Sequence, residues 1–212
     1  LLSESLRMVP GLEVARPNAL QWAIGSRGFN SVFSDKLLVQ VDGRSIYTPM
    51  FSGVFWGELD TVLEDVDRIE VIRGPGATQW GANAVNGVIN IQTKHARETQ
   101  GLLLGSGGGL EERAFGVVRY GGQLGSNAFY RVYGKYSDRD DLTLAAGGGS
   151  GDSWWLGQEG FRVDWAPTDR DGLTVQGDYY YSGLGGIIRR HALSPPGMFS
   201  ETFRGKGEGA NV

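Results

Sequence analysis

The side chains best suited to proton transfer in this chain are His95 and His191, which stand 96 positions apart. A hydrolytic site built on either would need the imidazole held by a carboxylate and set beside a nucleophile. His95 instead follows a strand end in a charged stretch, and His191 is expected in a polar loop beside Arg189-Arg190. Cysteine is absent, which removes thiolate nucleophiles, disulfides and thiolate metal sites, and two histidines are too few for an all-histidine zinc centre. Glu64, Asp65, Asp67 and Glu70 suggest calcium, but strand alternation points neighbours to opposite faces, so a solvated charged surface is expected. Gly28, Gly43, Gly74, Gly76, Gly81 and Gly87 suggest a phosphate cradle. The G-x-G-x-x-G spacing fails and no Lys-Ser/Thr follows, so tight turns explain them better. No enzyme, resident cofactor or metal is expected.

Composition narrows the partners. The 20 Lys and Arg against 24 Asp and Glu leave a formal net charge of −4, a poor basis for nucleic-acid binding. No run of about 18 apolar residues is present to form a membrane-spanning helix. Glycine is in excess, 35 of 212 residues, with 10 in the first hundred and 25 beyond. Tyrosine shifts likewise, from Tyr47 alone to seven, so two structural regimes meet near residue 100.

The first hundred residues read as a small α+β unit. Leu2, Leu6 and Val9 fit a short amphipathic helix stopped by Pro10-Gly11. Leu20, Trp22 and Ile24 share one face of a strand, and Leu37, Val39 and Val41 one face of another. Asp42-Gly43 then supplies a two-residue hairpin turn, returning through Arg44–Tyr47. Asp60 is placed to cap a short helix through Leu63. Strands are expected at Val66–Arg73 and Gly87–Thr93, joined by a loop rich in Gly and Asn.

Beyond residue 100 the period is two. Ala128, Tyr130, Val132, Gly134 and Tyr136 oppose Phe129, Arg131, Tyr133 and Lys135. Leu173, Val175, Gly177, Tyr179 and Tyr181 oppose Thr174, Gln176, Asp178 and Tyr180. Phe161, Val163 and Trp165 oppose Gln158, Arg162 and Asp164, while Arg113 and Arg119 oppose Ala114, Val118 and Tyr120. Segments of about ten residues with aromatics near the ends of the apolar face suit a barrel in lipid. Short connections at Glu111-Glu112, Gly121–Ser126 and Pro167–Asp171 contrast with long ones at Ser137–Ser153 and after Tyr181, through Pro195-Pro196. A soluble β-sandwich also alternates, and a carbohydrate-binding module using Trp154 and Trp155 is the alternative. About five strands cannot close a barrel, and open edges are not tolerated in lipid, so a longer parent is expected.

The stretch from Glu64 to Ile91, with Arg68-Ile69-Glu70-Val71-Ile72-Arg73-Gly74-Pro75 leading to Trp80-Gly81 and Gly87-Val88-Ile89-Asn90-Ile91, resembles the plug signature of TonB-dependent outer-membrane receptors. Val9-Pro10-Gly11, Arg27-Gly28-Phe29 and Val41-Asp42-Gly43-Arg44 match the same family in the expected order. The resemblance implies a plug domain of mixed sheet and short helices over 1–98, then the first strands of a transmembrane β-barrel over 99–212. It implies a Gram-negative outer-membrane location, lipid around the barrel, and import of a scarce ligand such as a ferric siderophore, with cobalamin or another nutrient as the alternative. Energy would come through TonB, whose N-terminal box is not in this sequence. Arg27 and Arg73 match arginines that hold plug to barrel wall. The apex loops match Phe29–Asp35, Tyr47–Trp56 and Thr78–Asn83, where Phe51, Phe55, Trp56 and Trp80 are candidates to face the ligand or simply to pack.

Overall fold

The computed structural model describes the chain except residues 50, 146, 195 and 212. It divides into two units, residues 1–17 with 21–99, and residues 18–20 with 100–212.

In the first unit, α1 (Leu2–Ser5) runs into a single 3-10 turn at Leu6–Met8, and the chain turns away at Pro10. Strands β1 (Glu13–Ala15) and β2 (Ala23–Gly25) pair as an antiparallel hairpin. Then come β3 (Leu37–Val41), β4 (Arg44–Ser45), β5 (Val66–Arg73), the single-turn α2 (Ala77–Trp80) and β6 (Gly87–Thr93). Asp42 and Gly43 both have positive φ, 49° and 81°, as a two-residue hairpin turn between right-twisted strands demands. Asp42 also accepts hydrogen bonds from the Thr93 backbone N–H and hydroxyl, each 2.8 Å, tying that turn to the end of β6.

The four strands lie in the order β4-β3-β6-β5, with β3 and β6 parallel and β5 antiparallel at the edge. Leu37, Val39, Ile89 and Ile91 present one face of this sheet to Leu2, Leu6, Trp22, Ile24, Val54 and Trp56, forming the core. A smaller cluster, Leu38, Ala84 and Val88, occupies the other face. Gly87 has φ 157°, and a Cβ there would collide with the carbonyl oxygen of Ile72, so only glycine lets β6 start beside the end of β5.

The second unit is a six-stranded antiparallel meander of β7 (Gly101–Gly107), β8 (Glu112–Leu124), β9 (Ala128–Arg139), β10 (Trp154–Trp165), β11 (Leu173–Leu193) and β12 (Pro196–Asn211). Register assembles two unlike faces. One row runs Leu102, Tyr120, Val132, Phe161 and Gly177, and the next Tyr130, Val163 and Val175. On the opposite face Leu103, Arg119, Tyr133, Gly160 and Asp178 form a row, and Gly121, Arg131, Arg162 and Gln176 another. The apolar face is the open one, with Leu102 63% exposed and Val132 46%, against 8% for Arg119 and 5% for Arg131. Asp164, 2% exposed, takes hydrogen bonds from Arg162 at 2.8 Å and the Thr174 hydroxyl at 2.7 Å, so the polar face is knitted together. Tyr136, Trp155 and Tyr181 cluster at one end of the apolar face, with ring centroids 6.3 and 4.7 Å apart. Trp165 stands on that face at the other end of β10. Two carboxylates break the apolar pattern on β9 and β10: Glu159, opposite Gly134 and Tyr179, and Asp138, opposite Trp155. Exposed Arg204, Lys206 and Glu208 on β12 break it again.

The glycine excess has a cross-strand cause. A Cβ at Gly122 would stand 2.6 Å from the Tyr130 ring, at Gly160 2.6 Å from Tyr133, at Gly209 2.6 Å from Tyr180 and at Gly107 2.5 Å from Phe115, each directly opposite in register. Trp155 covers Gly183, and Phe203 covers Gly186, in the same way. Large rings lie flat across the neighbouring strand where that strand has no side chain.

Several sequence expectations change. The stretch after Tyr181 is strand, with β11 continuing to Leu193 and pairing with β12 back from Pro196; Pro195 lies outside the described residues. Three of its glycines, Gly183, Gly186 and Gly209, are among those that seat aromatic rings. A bulge between Glu112 and Ala114 takes Arg113 out of Arg119's row to meet Asp138 at 3.5 Å and Asp140 at 3.6 Å. Leu20 is buried in a bend rather than in β2. The turn after Asp60 is 3-10, Leu63–Asp65, with Val62 at its N-cap, and Asp60 Oδ1 accepts the N–H of Thr61 rather than capping a short helix through Leu63. Asp65, expected in solvent, is 2% exposed.

Candidate functional site

Three motifs distant in sequence converge on one corner of the first unit. Arg27 adopts φ 60° and Gly28 φ 78°, a left-handed pair that costs a non-glycine residue roughly 1–2 kcal/mol. The turn is held by the Gly28 N–H donating to Glu13 Oε1 at 2.9 Å and the Phe29 N–H to the Ser26 carbonyl at 3.3 Å. Ser26 is itself tied down, its hydroxyl donating to the Asn86 carbonyl at 3.1 Å. That carbonyl also accepts the Gly74 N–H at 3.0 Å, so one oxygen joins the Arg27 turn to the end of β5.

The Arg73 guanidinium occupies the space that Gly11 leaves. Arg73 donates from Nη1 to the Pro10 carbonyl at 3.1 Å, and a Cβ at Gly11 would stand 3.0 Å from the same nitrogen. Arg27 Nη2 lies 3.5 Å from where a Gly74 Cβ would be. Val9-Pro10-Gly11, Arg27-Gly28 and Arg73-Gly74 are therefore parts of one structure. Both arginines are exposed, and among the described residues neither has a carboxylate partner. Of the other motif glycines, Gly81 has φ 86°, whereas Gly76 has φ −124° and caps α2.

The second candidate surface is aromatic. Phe33 packs edge-on against Phe51 with centroids 5.2 Å apart, and Phe51 against Phe55 at 6.4 Å. Gly53 permits this closure, since a Cβ there would stand 2.7 Å from the Phe51 ring and 2.9 Å from the Ser34 carbonyl. Phe29 and Phe33 are 58% and 62% exposed, so the loop at 29–35 offers ring surface, while Phe51 and Phe55 are half-buried. Beneath them the Tyr47 hydroxyl donates to the Leu37 carbonyl at 2.9 Å. Its pKa is pushed up to about 12, first by burial and then by the nearby Asp35 charge. Met50, next to Phe51, lies outside the described residues.

The two tryptophans separate from this group. Trp56 is 7% exposed with its ring in the main core, and Trp80, half-buried, packs against Leu38, Ala84 and Val88. Phe33 was absent from the candidates read in sequence, and only its contact with Phe51, 18 positions away, marks it. The histidines stand apart: His95 Nδ1 accepts the Arg97 N–H at 3.1 Å, a turn-capping role, and His191 is exposed. Among the described residues no group of three His, Asp or Glu side chains is arranged to hold a metal ion. Asp67 and Glu70 instead pair with Arg68 at 2.7 and 2.8 Å, which with Asn90 holds the Glu70 carboxyl below its ordinary range.

Comparison with known proteins agrees with this architecture. Residues 2–88 match the model of the TonB-dependent Receptor Plug Domain. A ferric enterobactin receptor of Pseudomonas aeruginosa is 33% identical over 171 residues, 69% of this chain and 22% of the relative. A vitamin B12 transporter of Vibrio vulnificus is 32% identical over 112 residues, 52% of this chain and 18% of the relative. The chain thus spans about a fifth of the length of these relatives. Among solved structures, the ferric yersiniabactin uptake receptor of Yersinia pestis aligns with a TM-score of 0.64 at 20% identity, covering 87% of this chain and 29% of that one. A copper transporter aligns with a TM-score of 0.61 at 16% identity, covering 98% and 40%. With the plug motifs gathered at one corner and antiparallel strands of lipid-compatible pattern following them, the chain belongs to the TonB-dependent receptors of the Gram-negative outer membrane.

Proposed function

We propose that this chain supplies the plug and leading barrel strands of a receptor that imports a ferric siderophore, using energy delivered through TonB. The observation that carries the ligand class is the ring surface exposed at Phe29 and Phe33, with Phe33 packed on half-buried Phe51 and Phe51 on half-buried Phe55. Rings so displayed suit the apolar and aromatic faces of a chelate that wraps its metal in organic groups. A relative aligned over 69% of this chain is a ferric enterobactin receptor, which favours the same class. The role in this reading is transport, as in the family of transporters and receptors to which the relatives belong.

In this reading Phe51 and Phe55 touch ligand, while Trp56 and Trp80 support the loops by packing. Arg27 and Arg73 fasten the plug, offering two guanidiniums at one corner to carboxylates of the barrel wall. The test uses the full-length receptor. Phe51→Ala with Phe55→Ala should weaken binding of ferric enterobactin about three- to tenfold, from roughly 0.5–1.5 kcal/mol of ring contact. Binding of cobalamin and of no ferric siderophore would replace this reading with the nutrient alternative. Arg27→Ala with Arg73→Ala should quicken amide exchange in β5 and β6 while leaving ligand affinity intact. Unchanged exchange would reduce the arginines to ordinary surface charges.

A further inference from the structure

The second unit takes in three residues from early in the chain, Asn18–Leu20, at the tip of the β1–β2 hairpin. Both backbone groups of Ala19, itself fully buried, are gripped by side chains more than 130 positions away. Its N–H donates to Asp152 Oδ2 at 2.6 Å, and its carbonyl accepts from Trp154 Nε1 at 2.7 Å. The tip is shaped for this by Asn18, whose Oδ1 accepts the Leu20 N–H at 3.0 Å. Asp152 is 5% exposed and Trp154 2%, with the Arg139 guanidinium 6.0 Å from the indole centroid and paired to Glu112 at 2.8 Å.

The same carboxylate closes the long connection between β9 and β10. Asp152 Oδ1 accepts the Leu142 N–H at 3.0 Å and the Ser150 hydroxyl. Asp141 reciprocates, taking the N–H groups of Gly151 and Ser153, each at 3.2 Å. Between these two carboxylates the chain forms a small hairpin, with Thr143 bridged to Gly149 and the Ser150 N–H donating to the Leu142 carbonyl at 2.9 Å. What sequence alone presents as a polar loop is thus a folded element whose base shares an acceptor with the plug hairpin tip.

We propose that Asp152 and Trp154 form a clasp on the Ala19 peptide that couples the position of the plug hairpin to the conformation of the loop at residues 140–153. A buried carboxylate accepting three donors is stable only while all three are present, since a donor withdrawn leaves lone pairs without water. Pro17 and Gln21 on either side belong to the first unit, so displacement of that unit pulls directly on the Ala19 peptide. Losing its N–H from Asp152 loosens the acceptor that also secures Leu142 and Ser150. The clasp grips backbone atoms, so it reads position rather than side-chain identity, and it is separate from the arginine corner.

The test is amide exchange in the full-length receptor in detergent. Trp154→Phe keeps an aromatic ring and removes only the donor to the Ala19 carbonyl. It should speed exchange at the Ala19 amide and, through the shared carboxylate, at Leu142 and Ser150, by about tenfold for one lost buried hydrogen bond, with Val132 and Phe161 in the neighbouring strands unchanged. Asp152→Ala should speed Ala19 and Leu142 together, and Asp152→Asn, which keeps one acceptor oxygen, should fall between it and the parent. If Trp154→Phe leaves Ala19 exchange at the parent rate, no clasp exists. If Ala19 quickens while Leu142 and Ser150 do not, tip and loop are independent. Either result overturns the proposal.

Discussion

In the four-stranded sheet of the first unit the apolar side chains of the core lie within and the arginines of β5 without, as Ile89 at 0% exposure and the exposed Arg68 illustrate. In the six-stranded sheet neighbours on one strand reverse that order, with Arg131 5% exposed and Val132 46%. The first unit hides its hydrocarbon from water by folding around it. The second shows hydrocarbon on one face and joins its polar groups on the other, which is favourable where the surrounding medium is lipid. The lesson is that exposure has no sign until the solvent is named.

Substitutions that treat both units alike test this contrast. Ile89→Ala, in the plug core, should cost about 2–5 kcal/mol by lost burial and a residual cavity, measured by urea unfolding of the full-length receptor while its plug signal is followed. Val132→Arg should cost about 2–4 kcal/mol for refolding into bilayers, where a guanidinium meets hydrocarbon. Gln123→Arg on the opposite face should cost far less. Equal tolerance at both sites would remove lipid from the account.

Smaller effects sharpen the picture. Gly160→Ala should displace the Tyr133 ring lying over it, a cost of about 1–3 kcal/mol by overpacking, seen as a lower refolding midpoint. The plug carries a pH signature at Tyr47. Its folded pKa of about 12 exceeds the ordinary value of 10.0, so the folded form holds the proton longer than the unfolded form. The associated stability is fully present below pH 10, declines as pH rises from there towards 12, and should lose this dependence in Tyr47→Phe. Smallest of all, Glu70→Gln removes a partner of exposed Arg68 and should leave the unfolding midpoint unchanged within error.

Some of this was legible because its causes are local. The limits of β5 and β6, the Asp42-Gly43 turn and the two-faced pattern of β8 to β11 follow from turn chemistry and a side-chain period of two, both confined to neighbouring residues. The site was legible only in part. Arg27 and Arg73 could be picked from motifs, but nothing in either segment states that the Asn86 carbonyl joins them, and Phe51 could not be separated from Trp56.

The sequence by itself determined which side chains share a strand face over much of residues 101–181 and where the chain reverses tightly, and it favoured lipid over water for the apolar face while leaving a soluble β-sandwich as the alternative. Tertiary structure decided the parallel pairing of β3 with β6, the burial of Trp56, the length of β11 and the hold of Asp152 and Trp154 on Ala19. The physical reason is one of range. Backbone preferences and alternation act over a few residues, whereas a ring lying over a distant glycine or a carboxylate reaching an amide 133 positions away depends on which segments the whole fold brings together.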